Sequence, residues 1–211
     1  MSLEFETVNG MSTFFAYGWA SDEAVQQCID VYNVLNPYPG SITEGVDKDK
    51  KDSYDVCIPP NHSLLLQDEL CEMGTAYAEY FHFELWVPPL TIVEAMNIQK
   101  YPLSGGFHKL HTERGYTDNT KVRELVWMVY LNDVQSGGET YWPFYNKKLI
   151  PQKGLTVLWP PFWTHAHKGL PSHSTEKMIA TGWFSIHPKV VFDEGGDIEA
   201  LRVQKIRSKD D

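Results

Sequence analysis

The spacing of apolar residues changes once along the chain, near residue 90. Before that point, apolar side chains recur at helical spacing in two segments. The first begins at Ser21, which is typical of a helix N-cap because its hydroxyl can accept from a free backbone N–H, and it runs to Leu35. The second begins at residues 61–63 and continues to about Phe83. The aromatic residues 1–20 predict an edge strand ahead of both helices.

After residue 90 the pattern is that of short strands separated by Gly, Pro or polar clusters, which is typical of a β-sandwich or barrel. The predicted strands are Ile92–Lys100, Phe107–Glu113, Glu124–Asn132, Glu139–Phe144, Leu155–Trp159, Thr164–Lys168 and Met178–His187. Two helices followed by many strands favour an α+β, mainly β fold with the helices packed on one face of a β core.

The length favours a single domain over residues 1–211. Its expected parts are a helical region of about residues 1–89, a β core of about 90–190 and a charged tail, 191–211, with a short helix at about 198–206. Residues 41–56 are charged and poor in apolar side chains, so a solvated loop is the simpler interpretation. The alternative is a mobile lid over a substrate groove, and the sequence does not decide between them.

Composition excludes several classes of function. The formal net charge of -10 argues against nucleic-acid binding, which needs a basic surface. No run of about 18 apolar residues predicts a membrane span, and residues 1–11 lack a secretory signal, so we expect a cytoplasmic protein. The three cysteines, Cys28, Cys57 and Cys71, predict buried or partly buried free thiols in a reducing compartment.

A metal site is predicted where His111 and Glu113 lie two residues apart. In a strand, their side chains point to the same face. Two His and one carboxylate form the ligand set of non-haem Fe(II) oxygenases. His167 is the favoured third ligand, with His165 and His173 as rivals. A surface ion pair between His111 and Glu113 is the ordinary alternative.

Lys177 is the second candidate for chemistry. Residues 168–176 read as a turn, so His167 and Lys177 are expected on paired antiparallel strands, with both side chains facing the interior. A buried ammonium needs an anionic partner. That partner is either a protein carboxylate or the distal carboxylate of a small dicarboxylate bound to the metal.

Four motifs in order carry a family resemblance over about residues 90–187: IQKYPLSGGFHKLHTE, RELVWMVYLNDVQSGGETYWP, LIPQKGLTVLWP and HKGLPSHSTEKMIATGWF. They resemble the prolyl 4-hydroxylase-like branch of the Fe(II)/2-oxoglutarate dioxygenases. Trp142 stands where Phe is usual in the family, and Glu113 stands where the family has Asp. Halogenating relatives have a small residue in place of this carboxylate, so Glu113 favours hydroxylation.

The resemblance implies a double-stranded β-helix (jelly-roll) core with the N-terminal helices on one face. It also implies Fe(II), 2-oxoglutarate and O2, with ascorbate as a further candidate cofactor. The residues it assigns are His111, Glu113 and His167 as iron ligands, Lys177 for the 5-carboxylate of 2-oxoglutarate, Tyr101 and Tyr130 lining that cosubstrate, and Thr181 and Trp183 shaping its pocket. Core packing is the alternative role for the Tyr and Trp residues.

Two further groups of residues complete the expectation. Arg123 matches a family position, but no chemistry is assigned to it. Apolar side chains are expected to exclude water from the site, and the candidates are Leu125, Val129, Leu158 and Trp159.

The implied reaction is hydroxylation of an unactivated C–H bond, in a prolyl residue of a peptide or protein or in a small molecule, with release of succinate and CO2. Three alternatives stay open. One is a jelly-roll protein that binds metal or ligand without turnover, and another is a purely structural jelly roll. The third is a zinc hydrolase with His2Glu ligation, although the chain has no HExxH motif. The sequence does not indicate the oligomeric state.

Overall fold

The computed structural model describes residues 2–62, 64–85 and 87–186. Three expectations therefore lie outside the described residues: Ser63 at the start of the second helix, His187 at the end of the last strand, and the tail 191–211 with its helix at about 198–206.

Two α-helices are present in the first half of the chain, as predicted. Helix α1 spans Asp22–Val34, and Ser21 Oγ accepts from the backbone N–H of Ala24 at 3.1 Å, which confirms the N-cap. Helix α2 spans Leu65–Tyr80, so it begins later and ends earlier than the spacing predicts. Short 3-10 helices lie at Phe83–Leu85, Thr120–Val122, Pro143–Tyr145 and Trp163–His165.

The β core is built from antiparallel pairs. The strands of the described residues are β1 (Glu4–Val8), β2 (Met11–Trp19), β3 (Tyr38–Pro39), β4 (Tyr54–Ile58), β5 (Leu90–Thr91), β6 (Met96–Tyr101), β7 (Arg123–Tyr130), β8 (Thr140–Trp142), β9 (Lys147–Leu149), β10 (Leu155–Trp159), β11 (Lys168–Gly169) and β12 (Lys177–Ile186). The 9-stranded sheet has the order β1-β2-β10-β7-β12-β6-β4-β3, with β5 paired to β12. A 3-stranded sheet has the order β11-β8-β9.

The large sheet is apolar on both faces because successive side chains of a strand alternate. Leu125, Trp127 and Val129 of β7 pack in a core shared with α1 and α2. Val126 and Tyr130 of the same strand pack on the other face, in a core that includes residues of β8 and β10. The helices therefore cover one face of the sheet, as predicted, and the opposite face is left for the site.

Two predicted strands, Phe107–Glu113 and Thr164–Lys168, are not regular strands. The first segment bonds to three different partners in turn: the N–H groups of His108, His111 and Glu113 donate to the carbonyls of Lys50, His167 and Pro161. The second contains a 3-10 turn, preceded by two prolines that lack an N–H for a ladder. The two predicted strands meet only in an isolated bridge between His111 and His167, while Phe107 bridges to Lys51 and Lys168 belongs to β11.

The prediction of a solvated loop at residues 41–56 is wrong for its second half. Tyr54–Ile58 forms β4, and Lys51, Ser53 and Asp55 are buried. Lys51 Nζ lies 2.6 Å from Asp55 Oδ2, so two opposite charges satisfy each other inside the fold. The second half of this charged stretch is therefore buried, which its composition did not indicate. Within the predicted edge segment, β1 and β2 form a hairpin in which β1 is the edge and β2 lies between β1 and β10.

The cysteines and the search for membrane spans test the predictions from composition. Cys28, Cys57 and Cys71 are free as predicted, but only Cys28 is buried, since Cys57 and Cys71 are exposed. Across residues 2–62, 64–85 and 87–186, none of the helices has the length and apolar character that crossing a membrane requires.

Gly74 provides a test of how α2 packs on the sheet. A Cβ at this position would lie 2.7 Å from Phe184 Cζ, in the buried core. Alanine normally favours a helix over glycine by about 1 kcal/mol. We expect Gly74→Ala instead to lower the free energy of unfolding by about 1–2 kcal/mol, because an overpacked core typically costs about 1–3 kcal/mol. Urea unfolding measures this change.

A double-mutant cycle with Phe184→Leu isolates the contact. The smaller side chain should make Gly74→Ala less costly than it is in the parent chain. Equal costs in the two backgrounds would show that this contact does not limit the approach of α2.

Candidate active site

Backbone pairing brings two histidines together. His111 N–H donates to His167 O at 3.0 Å, and His167 N–H donates to His111 O at 2.9 Å. The two ring centroids are consequently 4.4 Å apart, and the ring of Phe107 stacks on His111 at 3.9 Å. Residues 56 positions apart in sequence thus present their imidazoles side by side.

Glu113 completes a cluster of three candidate metal ligands. Its Oε1 lies 3.4 Å from His111 Nε2 and 3.4 Å from His167 Nε2. One ligand atom from each residue lies within 4.8 Å of the others, which is a spacing that can hold a metal ion. The structure therefore brings together the three residues that the sequence singled out.

The hydrogen bonds of the imidazoles fix which nitrogen is free. His111 Nδ1 lies 2.9 Å from Lys109 O, and His167 Nδ1 lies 3.1 Å from His165 O. A carbonyl oxygen only accepts, so both Nδ1 atoms carry the proton and both Nε2 atoms keep a lone pair. This second shell of hydrogen bonds is the usual way to orient a histidine ligand. Two Nε2 atoms and one carboxylate oxygen fit an Fe(II) ion.

Burial and charge set the protonation of the cluster. Burial lowers the pKa of His167, and the neighbouring His111 lowers it further, which favours the neutral form that binds metals. Burial alone would raise the pKa of Glu113, yet when His111 or His167 carries a proton on Nε2, its hydrogen bond and charge hold that pKa well below its usual range. In the metal-binding form, in which both imidazoles are neutral, the positive charge of the metal would have the same effect. The carboxylate is therefore ionised, as a metal ligand requires.

The two rival histidines do not join the cluster. His165 is buried, but its Nε2 lies 2.9 Å from Thr13 O and its Nδ1 lies 2.9 Å from Thr164 Oγ1. Both of its nitrogens therefore have a partner inside the fold. His173 is exposed in the turn before β12. The preference for His167 over these two agrees with the geometry.

The cluster lies in a cavity of about 650 Å³ that also contains Lys177. Lys177 is 2 % exposed, its Nζ donates to Gly138 O at 3.0 Å, and it lies 4.8 Å from the ring centroid of Tyr101. Among the described residues it forms no ion pair with a carboxylate, and its pKa is lowered to about 8 by burial, against the opposing charge of Glu139. A buried ammonium without a protein carboxylate fits an anionic ligand, such as the distal carboxylate of a dicarboxylate.

The route that brings Lys177 into the cavity differs from the predicted one. Strand β11 pairs with β8, whereas β12, which begins at Lys177, pairs with β6 and β7. His167 and Lys177 are therefore not on strands paired with each other, although both are buried as predicted. Both line the same cavity, and a Cβ at Gly169 would lie 3.3 Å from Lys177 Nζ.

The four residues expected to contact the cosubstrate fall into two groups. Tyr101, Thr181 and Trp183 line the cavity. Tyr130 is not among the lining residues; its hydroxyl donates to Thr140 Oγ1 at 2.7 Å, and Thr140 does line the cavity. Tyr130 therefore does not line the pocket as expected but holds Thr140, which does. The sequence did not single out Thr140, because one threonine forms no recognisable motif.

Three of the four expected apolar walls are on the wrong face of the sheet. Leu125, Val129 and Leu158 pack in the core beneath the helices, and only Trp159 lines the cavity. Alternate residues of a strand point to opposite faces of the sheet. If one residue of a strand is assigned to the wrong face, the residues two positions away are assigned wrongly as well. Met128 and Ile179 supply the apolar walls instead.

Comparison with known proteins shows which family the chain resembles. The model of the 2OG-Fe(II) oxygenase superfamily matches residues 96–185, which include the cavity's three candidate ligands and Lys177. This part of the chain is therefore similar to the 2OG-Fe(II) oxygenases. A similar protein is the "Putative prolyl 4-hydroxylase" of Acanthamoeba polyphaga mimivirus, 22% identical over 178 residues that cover 75% of this chain and 69% of that protein.

Solved structures with the same fold are also prolyl hydroxylases by name. The viral collagen prolyl hydroxylase of Paramecium Bursaria Chlorella virus-1, solved with 2OG, is 20% identical with a TM-score of 0.62, covering 83% of this chain and 97% of its own. The prolyl hydroxylase of Trichoplax adhaerens, in complex with a peptide fragment of the hypoxia inducible factor oxygen degradation domain, is 17% identical with a TM-score of 0.66, covering 86% and 88%. The core is thus a double-stranded β-helix, as the resemblance implied.

The family match indicates the class of chemistry. The 2OG-Fe(II) oxygenases use Fe(II), 2-oxoglutarate and O2, so the match supports an oxygenase enzyme that uses these three. An oxygenase is therefore favoured over the zinc hydrolase and the two non-catalytic alternatives. Ascorbate dependence and the absence of nucleic-acid partners stay predictions.

Metal binding at the three-residue cluster can be measured directly. We expect Co(II), as an air-stable substitute for Fe(II), to raise the melting temperature of the metal-free protein. At a metal concentration of about 100 times the Kd the stabilisation should be about 2.7 kcal/mol. His167→Ala removes an Nε2 ligand atom and should abolish this rise.

The matched control is His173→Ala, which removes an exposed imidazole outside the cluster. This variant should keep the full metal-dependent rise. If His167→Ala keeps it as well, the metal binds somewhere other than beside Glu113.

Proposed function

We propose that this protein hydroxylates an unactivated C–H bond of a prolyl residue in a peptide or protein, and that His111, Glu113 and His167 hold the iron. In the same proposal, Lys177 binds the distal carboxylate of 2-oxoglutarate. When bound, iron and 2-oxoglutarate supply O2 activation, so that one oxygen atom enters the substrate and the other enters succinate, with release of CO2. Prolyl hydroxylase relatives support the assignment to this reaction class.

One observation carries the proposal. Two imidazole Nε2 atoms and one carboxylate oxygen face a common point, in the same cavity as a buried ammonium that has no carboxylate partner among the described residues. Two neutral imidazoles and one carboxylate leave positions open on a metal ion for two donors of a bidentate ligand and for O2. The ammonium supplies the charge that selects a second carboxylate on that ligand.

The protein's own residues orient and shield the reactants. Lys177 fixes the far end of the cosubstrate, and Thr140 presents a hydroxyl to the same cavity. Trp159, 1 % exposed, lies with its ring centroid 5.1 Å from that of His167 and excludes water on that side. A preorganised, dry pocket is the usual protein contribution when a cofactor supplies the chemistry.

A peptide substrate is favoured by the open side of the cavity. Its lining extends outward to Ser41, Thr43, Arg114 and Tyr116, and Tyr116 is fully exposed. These residues belong to two loops that line the cavity, and in this proposal the peptide lies against them while one side chain enters. The Trichoplax relative with a bound peptide supports this interpretation.

Turnover distinguishes the substrate classes. The protein, loaded with Fe(II) and 2-oxoglutarate without oxygen and then aerated, should release more succinate when a proline-containing peptide is present than when free proline is present. Mass spectrometry should find a peptide heavier by one oxygen atom. Succinate release stimulated by free amino acids alone would replace the peptide with a small-molecule substrate, and no succinate under any condition would contradict the oxygenase reaction.

Lys177→Met tests the cosubstrate assignment with a side chain of similar length and no charge. Losing one partner of a buried charge pair typically costs about 2–5 kcal/mol. We expect the Kd for 2-oxoglutarate to rise at least about 30-fold by this arithmetic, since 1.4 kcal/mol is about tenfold. Calorimetry on the Co(II)-loaded protein measures it, and the affinity for Co(II) should be unchanged. Equal affinity for 2-oxoglutarate in parent and variant would show that Lys177 does not bind the cosubstrate.

The pH dependence of 2-oxoglutarate binding follows from the same ammonium. The pKa of Lys177 is lowered to about 8, so its positive charge is present below that pH and is lost as the pH rises through it. The Kd should therefore rise above about pH 8 in the parent chain and stay flat in Lys177→Met. Tyr101, the cavity's other nearby acid, does not contribute, because burial raises its pKa well above its ordinary value. A flat profile in the parent would mean that Lys177 does not bind the ligand as an ammonium.

A further inference from the structure

The two carboxylate oxygens of Glu113 have different partners. Oε1 faces the Nε2 atoms of both histidines at 3.4 Å. Oε2 instead accepts a hydrogen bond from the indole Nε1 of Trp183 at 3.0 Å, and it lies 3.6 Å from Nη1 of Arg123. The side chain is therefore held at both ends of its carboxylate, with one oxygen directed at the metal position and the other directed away.

Trp183 is itself held in place by charge. The guanidinium carbon of Arg123 lies 3.4 Å from the ring centroid of Trp183, which is a close cation–π contact. Arg123 also donates to the backbone carbonyl of Glu113 at 2.8 Å. The indole therefore rests on a cation that also bonds to the main chain of the glutamate it restrains.

Glu94 fixes the arginine from the other side. Its carboxylate accepts from Arg123 Nε at 2.8 Å and from Nη2 at 2.6 Å, in the bidentate geometry that suits a guanidinium. Both side chains are largely buried, with 11% and 14% of their surface exposed. A pair this well screened from water is a fixed support rather than a fluctuating surface contact.

A glutamate ligand needs such restraint more than an aspartate does. Its longer side chain has one more rotatable bond and therefore more rotamers to lose on binding a metal. A carboxylate with both oxygens free can also chelate one ion through both oxygens. A hydrogen bond donor fixed on one oxygen reduces both effects, since that oxygen must give up the bond before it can turn toward the metal.

We propose that Trp183 is a positioning residue whose indole N–H, supported by Arg123 and Glu94, makes Glu113 bind the metal through Oε1 alone. This inference rests on the proposed function only in that His111, Glu113 and His167 are the metal ligands. It gives Arg123, left without a role by the sequence, a part in the site. It also explains how Glu113 serves where the family pattern has Asp.

Trp183→Phe removes the N–H and keeps an aromatic ring for Arg123. We expect the affinity for Co(II), measured by competition with a chelating dye, to fall about 10- to 100-fold, as removal of outer-shell partners of metal ligands typically does. The visible spectrum of bound Co(II) should change, because a carboxylate that binds through both oxygens takes a coordination position that water would otherwise fill. Neither readout depends on turnover, and the melting temperature of the metal-free variant reports any general loss of stability.

Trp127→Phe is the matched control. Trp127 is also a fully buried indole whose Nε1 has no hydrogen-bond partner among the described residues, and it packs in the core on the helix side of the sheet. This variant should keep both the affinity and the spectrum. Equal losses in the Trp127 and Trp183 variants would attribute the effect to packing and overturn the proposal.

Glu113→Asp supplies the second arm of the test. The shorter aspartate cannot reach both the metal position and the indole, so Trp183→Phe should cost no further affinity in the Glu113→Asp background. Full affinity in Trp183→Phe, or the same loss in both backgrounds, contradicts the positioning role. If His111→Ala and His167→Ala both keep metal binding, the ligand assignment fails instead, so the two failures are distinguishable.

Discussion

Two backbone hydrogen bonds between His111 and His167 are the constraint on which the site depends. They join the segment after β6 to the segment before β11, outside the ladders that these strands form with their partner strands. Because the pairing fixes two Cα positions, the two imidazoles approach each other before any metal is present. Bonds from Nδ1 to main-chain carbonyls then direct both Nε2 atoms toward Glu113. Preorganisation of this kind keeps the cost of ordering ligands out of the binding step.

The two faces of the large sheet have different roles, since one packs against the helices and the other carries the candidate site. One face packs on α1 and α2 through aliphatic and aromatic side chains such as Leu125, Trp127 and Phe184, and it contains no part of the site. The other face holds aromatic residues such as Tyr101, Trp159 and Trp183, and it ends in the cavity. A substitution on the first face is expected to act through folding, whereas one on the second acts on ligands directly. The alternation of β7 and β12, with a period of two, produces both faces from the same strands.

Local patterns in the sequence predicted the parts of the fold that local patterns determine. The cap at Ser21, the two helices and the central strands β7, β10 and β12 follow from periodicity, because each buries a regular stripe. The conformation of the segments that carry His111 and His167 does not follow from periodicity. Their backbone N–H groups bond to several different segments rather than to one strand. The buried pair of Lys51 and Asp55 was missed for a related reason, because only the fold reveals that two charges neutralise each other.

The candidate ligands were predictable, but the support around them was not. His111, Glu113 and His167 lie in motifs whose spacing resembles a family, and that order is visible in one dimension. Glu94 and Arg123 lie 29 positions apart, and only the fold brings their side chains together. The face of the sheet on which each strand residue lies was not predictable either. Leu158 and Trp159 are neighbours in sequence, yet they lie in different cores.

The most direct test of the account is an anaerobic titration of the Fe(II)-loaded protein with 2-oxoglutarate, followed by visible absorption. Chelation of iron by the 1-carboxylate and 2-oxo group should produce a charge-transfer band that saturates with one 2-oxoglutarate per iron and is absent in Glu113→Ala. A protein that binds both iron and 2-oxoglutarate without such a band would contradict the account, because the two would then occupy separate sites.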